Sequence, residues 1–136
     1  MFDKIYRLSR KVPGVSKIMR VLYGCDIPRK ARIGERVQFA HEGIGTVVNV
    51  NAVIGDDCFI QHHVTIGSGK NKGVPTIGKN CFIGPYAIIM GGITIGDNCV
   101  IGTNSFITHD VPSNTIIYNK LTDVVIKENP VINSWN

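Results

Sequence analysis

The sequence has no long apolar run. No stretch approaches the ~18 consecutive apolar residues that cross a bilayer, although 43% of the 136 residues are hydrophobic. The opposite extreme, the charge-rich and apolar-poor composition of disordered chains, is absent too, because only 18% of the residues are charged. We therefore expect one soluble, folded domain with a single core.

Metal-ligand and secretion signals are also missing. Four cysteines occur, but the chain has no CxxC motif and no Cys/His zinc spacing. Near the N-terminus, charged residues occupy the positions where a signal peptide has its apolar core. They are Asp3, Lys4, Arg7, Arg10 and Lys11. We expect a cytoplasmic protein with reduced cysteines and no bound metal.

The positive charge is confined to one end of the chain. Residues 1–32 contain nine Lys and Arg against two Asp, a local charge of +7, whereas residues 33–136 contain six against eight Asp and Glu, a local charge of −2. A general nucleic-acid surface is therefore not indicated, and we expect no nucleic-acid partner.

What the sequence does contain is a repeat of six residues. Isoleucine recurs at positions 54, 60 and 66, and again at 77, 83, 89, 95, 101 and 107. Glycine often follows directly, and a small or apolar residue stands four positions after most of these isoleucines, as Cys58, Cys81 and Cys99 do. A weaker continuation upstream comprises Ile27, Ile33, Phe39 and Val48.

This period predicts an all-β fold, a parallel β-helix in which three hexads form one triangular coil. Isoleucine points inward and the small residue fills the corner, so the cysteines form a column of core residues rather than ligands or nucleophiles. About four coils, roughly 19 Å of stack, result at ~4.8 Å per layer. Two insertions interrupt the repeat, around residues 41–46 and between Ile66 and Ile77.

Three segments are predicted. Residues 1–23 have helical spacing interrupted by Pro13-Gly14, residues 24–112 are the β-helix, and residues 113–136 are a tail in which Val124–Ile126 could add a strand. Two interpretations of the basic helical segment stay open, namely a cap over the open end of the solenoid and a contact of residues 1–22 with the inner membrane surface.

Five stretches, taken in order, resemble the serine acetyltransferase branch of the hexapeptide acyltransferases, which includes O-acetyltransferases of surface polysaccharide gene clusters. The stretches are residues 24–28, 31–34, 41–48, 64–67 and 101–102. The resemblance implies a left-handed helix, an exception to the usual crossover hand, a homotrimer, and acetyl-CoA bound in clefts between subunits.

The resemblance also implies a catalytic pair. His41 would be the general base that activates the acceptor hydroxyl, and Asp26, fifteen residues upstream, would orient it. Three positions match the CoA groove, namely Ser68, Pro85 and Thr103, and Lys70 in the loop of Ser68 is a further candidate, as a contact for a CoA phosphate. Proline at position 85 removes an N–H donor that the family has there.

Two departures from serine acetyltransferases concern the acceptor. Ala40 replaces an aspartate that meets the substrate amine, and the loop of residues 68–76 lacks the Arg-His pair that meets the carboxylate. We therefore expect an acetyl-CoA-dependent O-acetyltransferase acting on a sugar hydroxyl, with serine as the alternative acceptor. His62, His63 and Asn71 are the candidate acceptor contacts.

Two other classes share the repeat. A zinc hydratase of the γ-carbonic anhydrase type needs three histidines at spacings that His41, His62, His63 and His109 do not provide. A structural or ice-binding solenoid needs an outward threonine ladder in one register, which is not found. The enzyme interpretation is favoured over both.

Overall fold

The chain begins with two short helices and continues as a series of short strands. A computed structural model describes residues 2–70 and 73–118. The helices are α1 (Phe2–Lys11) and α2 (Val15–Tyr23), and a 3₁₀ turn covers Ala40–Gly43. The strands are β1 (Arg32–Ile33), β2 (Gln38–Phe39), β3 (Val47–Val48), β4 (Val53–Ile54), β5 (Phe59–Ile60), β6 (Thr65–Gly67), β7 (Thr76–Ile77), β8 (Phe82–Ile83), β9 (Ile88–Met90), β10 (Thr94–Ile95), β11 (Val100–Ile101), β12 (Phe106–Ile107) and β13 (Ile116–Ile117).

These strands form three parallel sheets that wind around one core. Sheet 1 has the order β1-β4-β7-β10, sheet 2 the order β13-β11-β8-β5-β2, and sheet 3 the order β12-β9-β6-β3. Up to β12, every third strand is stacked in the same sheet; β13 follows β11 because the position between them in sheet 1 is the single bridge Ile95–Val111. The register pairs isoleucine with isoleucine, as in Ile54 with Ile77 and Ile60 with Ile83. The predicted parallel β-helix with an N-terminal helical segment is confirmed.

The core is the column of inward isoleucines. All nine isoleucines of the regular repeat are at most 2% exposed, and burying a side chain of this size stabilises the fold by about 1.5–3 kcal/mol each. The weaker upstream register is confirmed as well, since Ile27, Ile33, Phe39 and Val48 are all buried.

The predicted cysteine column is also confirmed. Cys58, Cys81 and Cys99 are buried free thiols, and each donates a hydrogen bond to a carbonyl of the coil above, for instance Cys58 Sγ to Gly78 O at 3.1 Å and Cys81 Sγ to Gly96 O at 3.1 Å. The pKa of the Cys81 thiol is raised, mainly by its hydrogen bond with the Cys58 thiol and to a smaller extent by burial. These thiols act as small corner residues.

The N-terminal helices lie over the first coil. Tyr6 of α1 is buried and meets Phe39 edge-on, with ring centroids 5.5 Å apart. Met19 of α2 is 1% exposed, and its carbonyl accepts a hydrogen bond from Cys25 Sγ at 3.9 Å. Between the two helices the backbone of Gly14 has a φ of 90°, a conformation that glycine adopts without strain.

At the other end, the chain continues past residue 112. β13 pairs with β11 through Val100–Ile116 and Ile101–Ile117, so part of the predicted tail adds a strand to sheet 2. The predicted strand at Val124–Ile126 lies outside the described residues. Among the described residues, neither helix has the length and apolar character of a membrane span.

Candidate active site

The first insertion forms a turn that presents His41 at a corner of the solenoid. It connects β2 of sheet 2 to β3 of sheet 3, and His41 (φ 50°, ψ 39°) and Glu42 (φ 58°, ψ 24°) both have left-handed backbone conformations. Two consecutive non-glycine residues of this kind are uncommon and tend to mark functional sites. The strained backbone could not be predicted from the sequence, but the insertion around residues 41–46 was.

The turn is tied to the segment that carries Asp26. Gly45 N donates to Gly24 O at 2.9 Å, and Asp26 N donates to Thr46 O at 2.8 Å. Within the turn, Ile44 N donates to His41 O at 3.2 Å. These backbone bonds hold the strained conformation in place.

The corresponding turns of the later coils are stacked on the His41 turn. We call this set of turns the histidine corner; it comprises residues 40–46, 61–64, 84–87 and 102–105. Each turn hydrogen-bonds to the turn below: His63 N to Ile44 O (2.9 Å), Tyr86 N to His62 O (3.2 Å) and Asn104 N to Pro85 O (3.0 Å). The corner is thus a rigid column that aligns side chains from successive coils.

A cavity opens beside His41. It has a volume of about 510 Å³ and is lined by His41, Glu42, Ile44 and His62. The His41 and His62 rings meet edge to face, with centroids 5.0 Å apart. The His62 Nδ1 atom is buried and has no hydrogen-bond partner among the described residues, so it can bond to a group that enters the cavity.

His63 has a different environment from His62. Its ring is stacked on Tyr86, with centroids 4.8 Å apart and planes within 4°. Gly45 lies against the same ring, since a Cβ at Gly45 would overlap Nδ1, Cε1 and Cγ of His63. His63 is therefore held between two coils beside the cavity. Tyr86 and Glu42 are the residues that sequence reasoning missed; the only signals were an aromatic residue at a turn position of the repeat and an acid directly after His41.

Asp26 does not reach His41 in this structure. Its carboxylate is 2.6 Å from Nη2 of Arg20, in an ion pair that is largely exposed to solvent, and this hydrogen bond raises the pKa of the Arg20 guanidinium. Asp26 also lines a second cavity, and His41 does not line that cavity. The structure brings both residues to the same segment of the first coil but forms no hydrogen bond between them, so their catalytic pairing stays a prediction.

The predicted CoA contacts fall at two corners. Pro85 and Thr103 lie at the histidine corner, above the His41 turn. Ser68 and Lys70 are exposed in the loop between β6 and β7, at the corner that joins sheet 3 to sheet 1. Asn71 lies outside the described residues. His109 is exposed and lies between β12 of sheet 3 and Val111, which is bridged to Ile95 of sheet 1; it is thus at the same corner as Ser68 and Lys70, in a later coil. No group of three or more metal-ligating side chains occurs in the part of the chain that the structure describes.

A parallel solenoid built from six-residue repeats, three to a coil, places the chain in the class of hexapeptide-repeat proteins. The family described as bacterial transferase hexapeptide (six repeats) matches residues 75–109. Serine acetyltransferase 2 of Arabidopsis thaliana is 34% identical over 135 residues, covering 93% of this chain and 42% of that protein. WcaB of Escherichia coli (strain K12), named as a colanic acid biosynthesis acetyltransferase, is 41% identical over 102 residues, covering 74% and 62%.

A solved structure gives the same result. The crystal structure of serine acetyltransferase isoform 3 from Entamoeba histolytica, in complex with cysteine, has a TM-score of 0.78 and 31% identity, and the match covers 92% of this chain and 49% of that one. The resemblance to hexapeptide transferases that the motifs suggested is confirmed, and the relatives named above are acetyltransferases. It spans between two fifths and about three fifths of the length of the two curated relatives named above.

Proposed function

We propose that this protein transfers an acetyl group from acetyl-CoA to a hydroxyl group. The relatives named as acetyltransferases support the reaction class, and the position of His41 in a cavity supports its role. His41 would take the proton of the acceptor hydroxyl while the hydroxyl oxygen attacks the thioester carbonyl. The imidazolium would return that proton to the departing CoA thiolate, which leaves an acetyl ester and free CoA. The Asp26 carboxylate would turn from Arg20 toward His41 and stabilise the imidazolium.

The acceptor that the cavity supports best is a sugar hydroxyl. The observation that carries this proposal is the lining: among the described residues, the cavity is bordered by two histidines, Glu42 and Ile44, with no lysine or arginine. A free amino acid presents a carboxylate, and a carboxylate in a partly closed site needs a cationic partner. Neutral hydroxyls need only polar partners, which His62 Nδ1 and Glu42 would provide.

Serine is the second candidate acceptor. The name of the Arabidopsis relative favours it, and Glu42 could pair with the ammonium group of serine in place of the acid that Ala40 lacks. The missing cation for the carboxylate argues against it.

For acetyl-CoA, we propose a path along the outside of sheet 3. This sheet runs from the histidine corner, with Pro85 and Thr103, to the loop with Ser68 and Lys70. Because Pro85 has no N–H, its contact with the pantetheine arm would be through the carbonyl side or through packing. Lys70 would meet a CoA phosphate.

A homotrimer would complete these clefts. The outward side chains of sheets 2 and 3 include exposed apolar residues, among them Phe82 (38%), Ile88 (37%), Phe106 (62%) and Ile116 (67%). Sheet 1 instead presents Arg32, Thr76 and Thr94 to the outside. Sheets 2 and 3 meet at the histidine corner, so subunits packed through these two faces would place each His41 cavity at an interface.

The helices support a peripheral membrane contact. Leu8, Ile18, Val21 and Leu22 are 48%, 52%, 84% and 61% exposed, on helices that also carry basic side chains. Helices with exposed apolar and basic side chains suit an anionic lipid surface. We propose that the protein works in the cytoplasm, at the inner face of the membrane.

One assay tests the proposed reaction. Thiol release from acetyl-CoA is followed with serine, free sugars, nucleotide sugars and oligosaccharides as acceptors, and the acetylated product is identified by mass spectrometry. We expect transfer to a sugar hydroxyl and much weaker transfer to serine. A serine kcat/KM of about 10⁴ M⁻¹s⁻¹ or more, in the ordinary enzyme range, would establish the alternative, and no transfer to any hydroxyl would overturn the proposal.

A further inference from the structure

A second cavity lies between α2 and the first coil. Its volume is about 520 Å³, close to that of the His41 cavity. It is lined by Ser16, Lys17, Arg20, Asp26, Pro28, Arg29, Lys30, Val47, Val48, Asn49 and Val50. Nothing in the acetyl-transfer mechanism above uses this cavity, apart from Asp26.

The lining carries a strong excess of positive charge. Four cationic side chains, Lys17, Arg20, Arg29 and Lys30, stand against the single carboxylate of Asp26. That carboxylate is already neutralised by Arg20 at 2.6 Å. Like charges held around one concave surface repel each other, and a bound anion relieves that repulsion.

Part of this charge is held in place by the fold. Arg29 Nε donates to the carbonyl of Arg10 at 3.5 Å, and Arg20 is paired with Asp26 at 2.6 Å as long as that carboxylate has not turned toward His41. Ser16 and Asn49 add neutral polar groups on the same surface. Guanidinium, ammonium, hydroxyl and amide groups together are the donor set that recognises phosphate oxygens.

The two cavities are neighbours along the chain. Ile44 lines the His41 cavity, and Val47 lines the basic one; three residues span at most about 11 Å between their Cα atoms. Asp26 is bridged to Val47 and thus belongs to the same strip. Ile44 and Val47 are 47% and 44% exposed, which provides apolar surface between the two cavities for the face of a sugar ring.

We propose that the basic cavity binds the phosphate or diphosphate of a phosphorylated sugar acceptor, while a hydroxyl of the same sugar reaches His41. The assignment rests on the proposed function, and it narrows the acceptor to a sugar phosphoester. A nucleotide diphosphate sugar and a lipid diphosphate sugar share this chemistry. Ile44 and Val47, which line the two cavities, lie at most about 11 Å apart, so one sugar unit would bridge the anion and the reacting hydroxyl.

Direct binding tests the cavity without any acetyl transfer. Inorganic pyrophosphate is titrated into the full chain by calorimetry, at low and at physiological salt. In the double variant Lys17→Gln/Lys30→Gln we expect at least tenfold weaker binding, since bonds to a charged group are lost. The control, Lys4→Gln/Arg7→Gln on α1, removes the same net charge outside the cavity and should keep the affinity of the unmodified protein within about twofold.

Two calorimetric outcomes would overturn the proposal. One is the absence of pyrophosphate binding at low salt. The other is an equal loss of affinity in both double variants, which would mean that net charge alone attracts the anion. Circular dichroism of each variant checks that the fold is retained.

Acetyl transfer then identifies the source of the phosphate. We compare kcat/KM for a methyl hexoside, a hexose 1-phosphate, a nucleotide diphosphate hexose and a polyprenyl diphosphate hexose in detergent. We expect at least a tenfold preference for the phosphorylated acceptors, and the Lys17→Gln/Lys30→Gln variant should lose that preference. The acceptor with the higher kcat/KM, nucleotide-linked or lipid-linked, identifies the source of the phosphate group.

Failure of the anion-site proposal and failure of the proposed acetyl transfer give different results. Equal transfer to methyl hexoside and phosphorylated hexoses would overturn this inference and leave the acetyltransferase proposal standing. No transfer to any acceptor would overturn the proposed function, and the assignment of the anion to an acceptor with it.

Discussion

The imidazole ring of His63 is stacked on the phenol ring of Tyr86, with centroids 4.8 Å apart and planes within 4°. Gly45 completes the stack from below, because any side chain there would occupy the space of the His63 ring. Turns from three successive coils are thus locked together directly beside the His41 cavity. Gly45, in the same turn as His41, is thereby packed against the coil above.

Replacing Gly45 by alanine should disturb the site more than a backbone effect alone can explain. Gly45 has a φ of +68°, so alanine costs about 1–2 kcal/mol in conformation, and overlap with His63 adds about 1–3 kcal/mol. We expect a lower melting temperature and reduced acetyl transfer.

The matched control is Gly24→Ala. Gly24 has a similar φ of +61°, but a Cβ there would meet only Ile44, in ordinary contact at 3.9 Å. Thermal unfolding of both variants, followed by circular dichroism, separates the two effects. Equal destabilisation by the two substitutions would show that the His63 side chain can move away from alanine with no loss of folding free energy.

His41→Ala should reduce acetyl transfer by roughly 10²–10⁴-fold, the usual contribution of general base catalysis. The affinity for CoA should be nearly unchanged, because the proposed CoA contacts lie in later coils. Steady-state kinetics and CoA titration measure the two effects separately. His109→Ala, a substitution at an exposed histidine in another turn, is the control and should retain full activity; near-normal turnover by the His41 variant would refute the mechanism.

Asp26→Asn should reduce turnover less than His41→Ala, since it removes the orienting carboxylate but leaves the base. Stability should change by less than about 1 kcal/mol, because the Arg20–Asp26 pair is exposed, at 63% and 39%, and exposed pairs contribute little.

The control for Asp26 is Asp57→Asn. It breaks another exposed pair, in which Arg36 Nε and Nη2 donate to the two Asp57 carboxylate oxygens at 2.6 and 2.7 Å, at a corner away from both cavities. Because this pair is bidentate, its loss should cost at least as much stability as that of Arg20–Asp26, and it should not affect acetyl transfer. If the two aspartate variants have the same turnover, Asp26 has no part in the reaction.

The solenoid could be predicted from the sequence because its pattern is local. Each hexad repeats the same inward isoleucine, so Ile54, Ile60 and Ile66 specify one coil without knowledge of the others. The His41 turn was predictable for the same reason, since an insertion is visible as a break in the period.

Contacts between turns of different coils were not predictable in this way. His41 meets His62 at a separation of 21 residues, and His63 meets Tyr86 at 23, because insertions shift the stacking from the regular 18. The Arg20–Asp26 ion pair depends on the docking of α2, which the repeat does not specify. The basic cavity was missed for that reason, although the charge imbalance of the first 32 residues was apparent.

The last prediction concerns assembly. Phe106 is 62% exposed on the outer face of sheet 3, the side proposed to pack against a neighbouring subunit. A glutamate there would bury a charge without a partner in the interface, which is costly. Phe106→Glu should therefore yield monomers by light scattering and lower acetyl transfer, while the coil stays folded because its inward neighbour Ile107 is untouched. Thr94→Glu, on the outer face of sheet 1, should leave the trimer intact. A Phe106→Glu variant that remains trimeric would mean that sheet 3 faces solvent, and a fully active monomer would show that each chain contains a complete site.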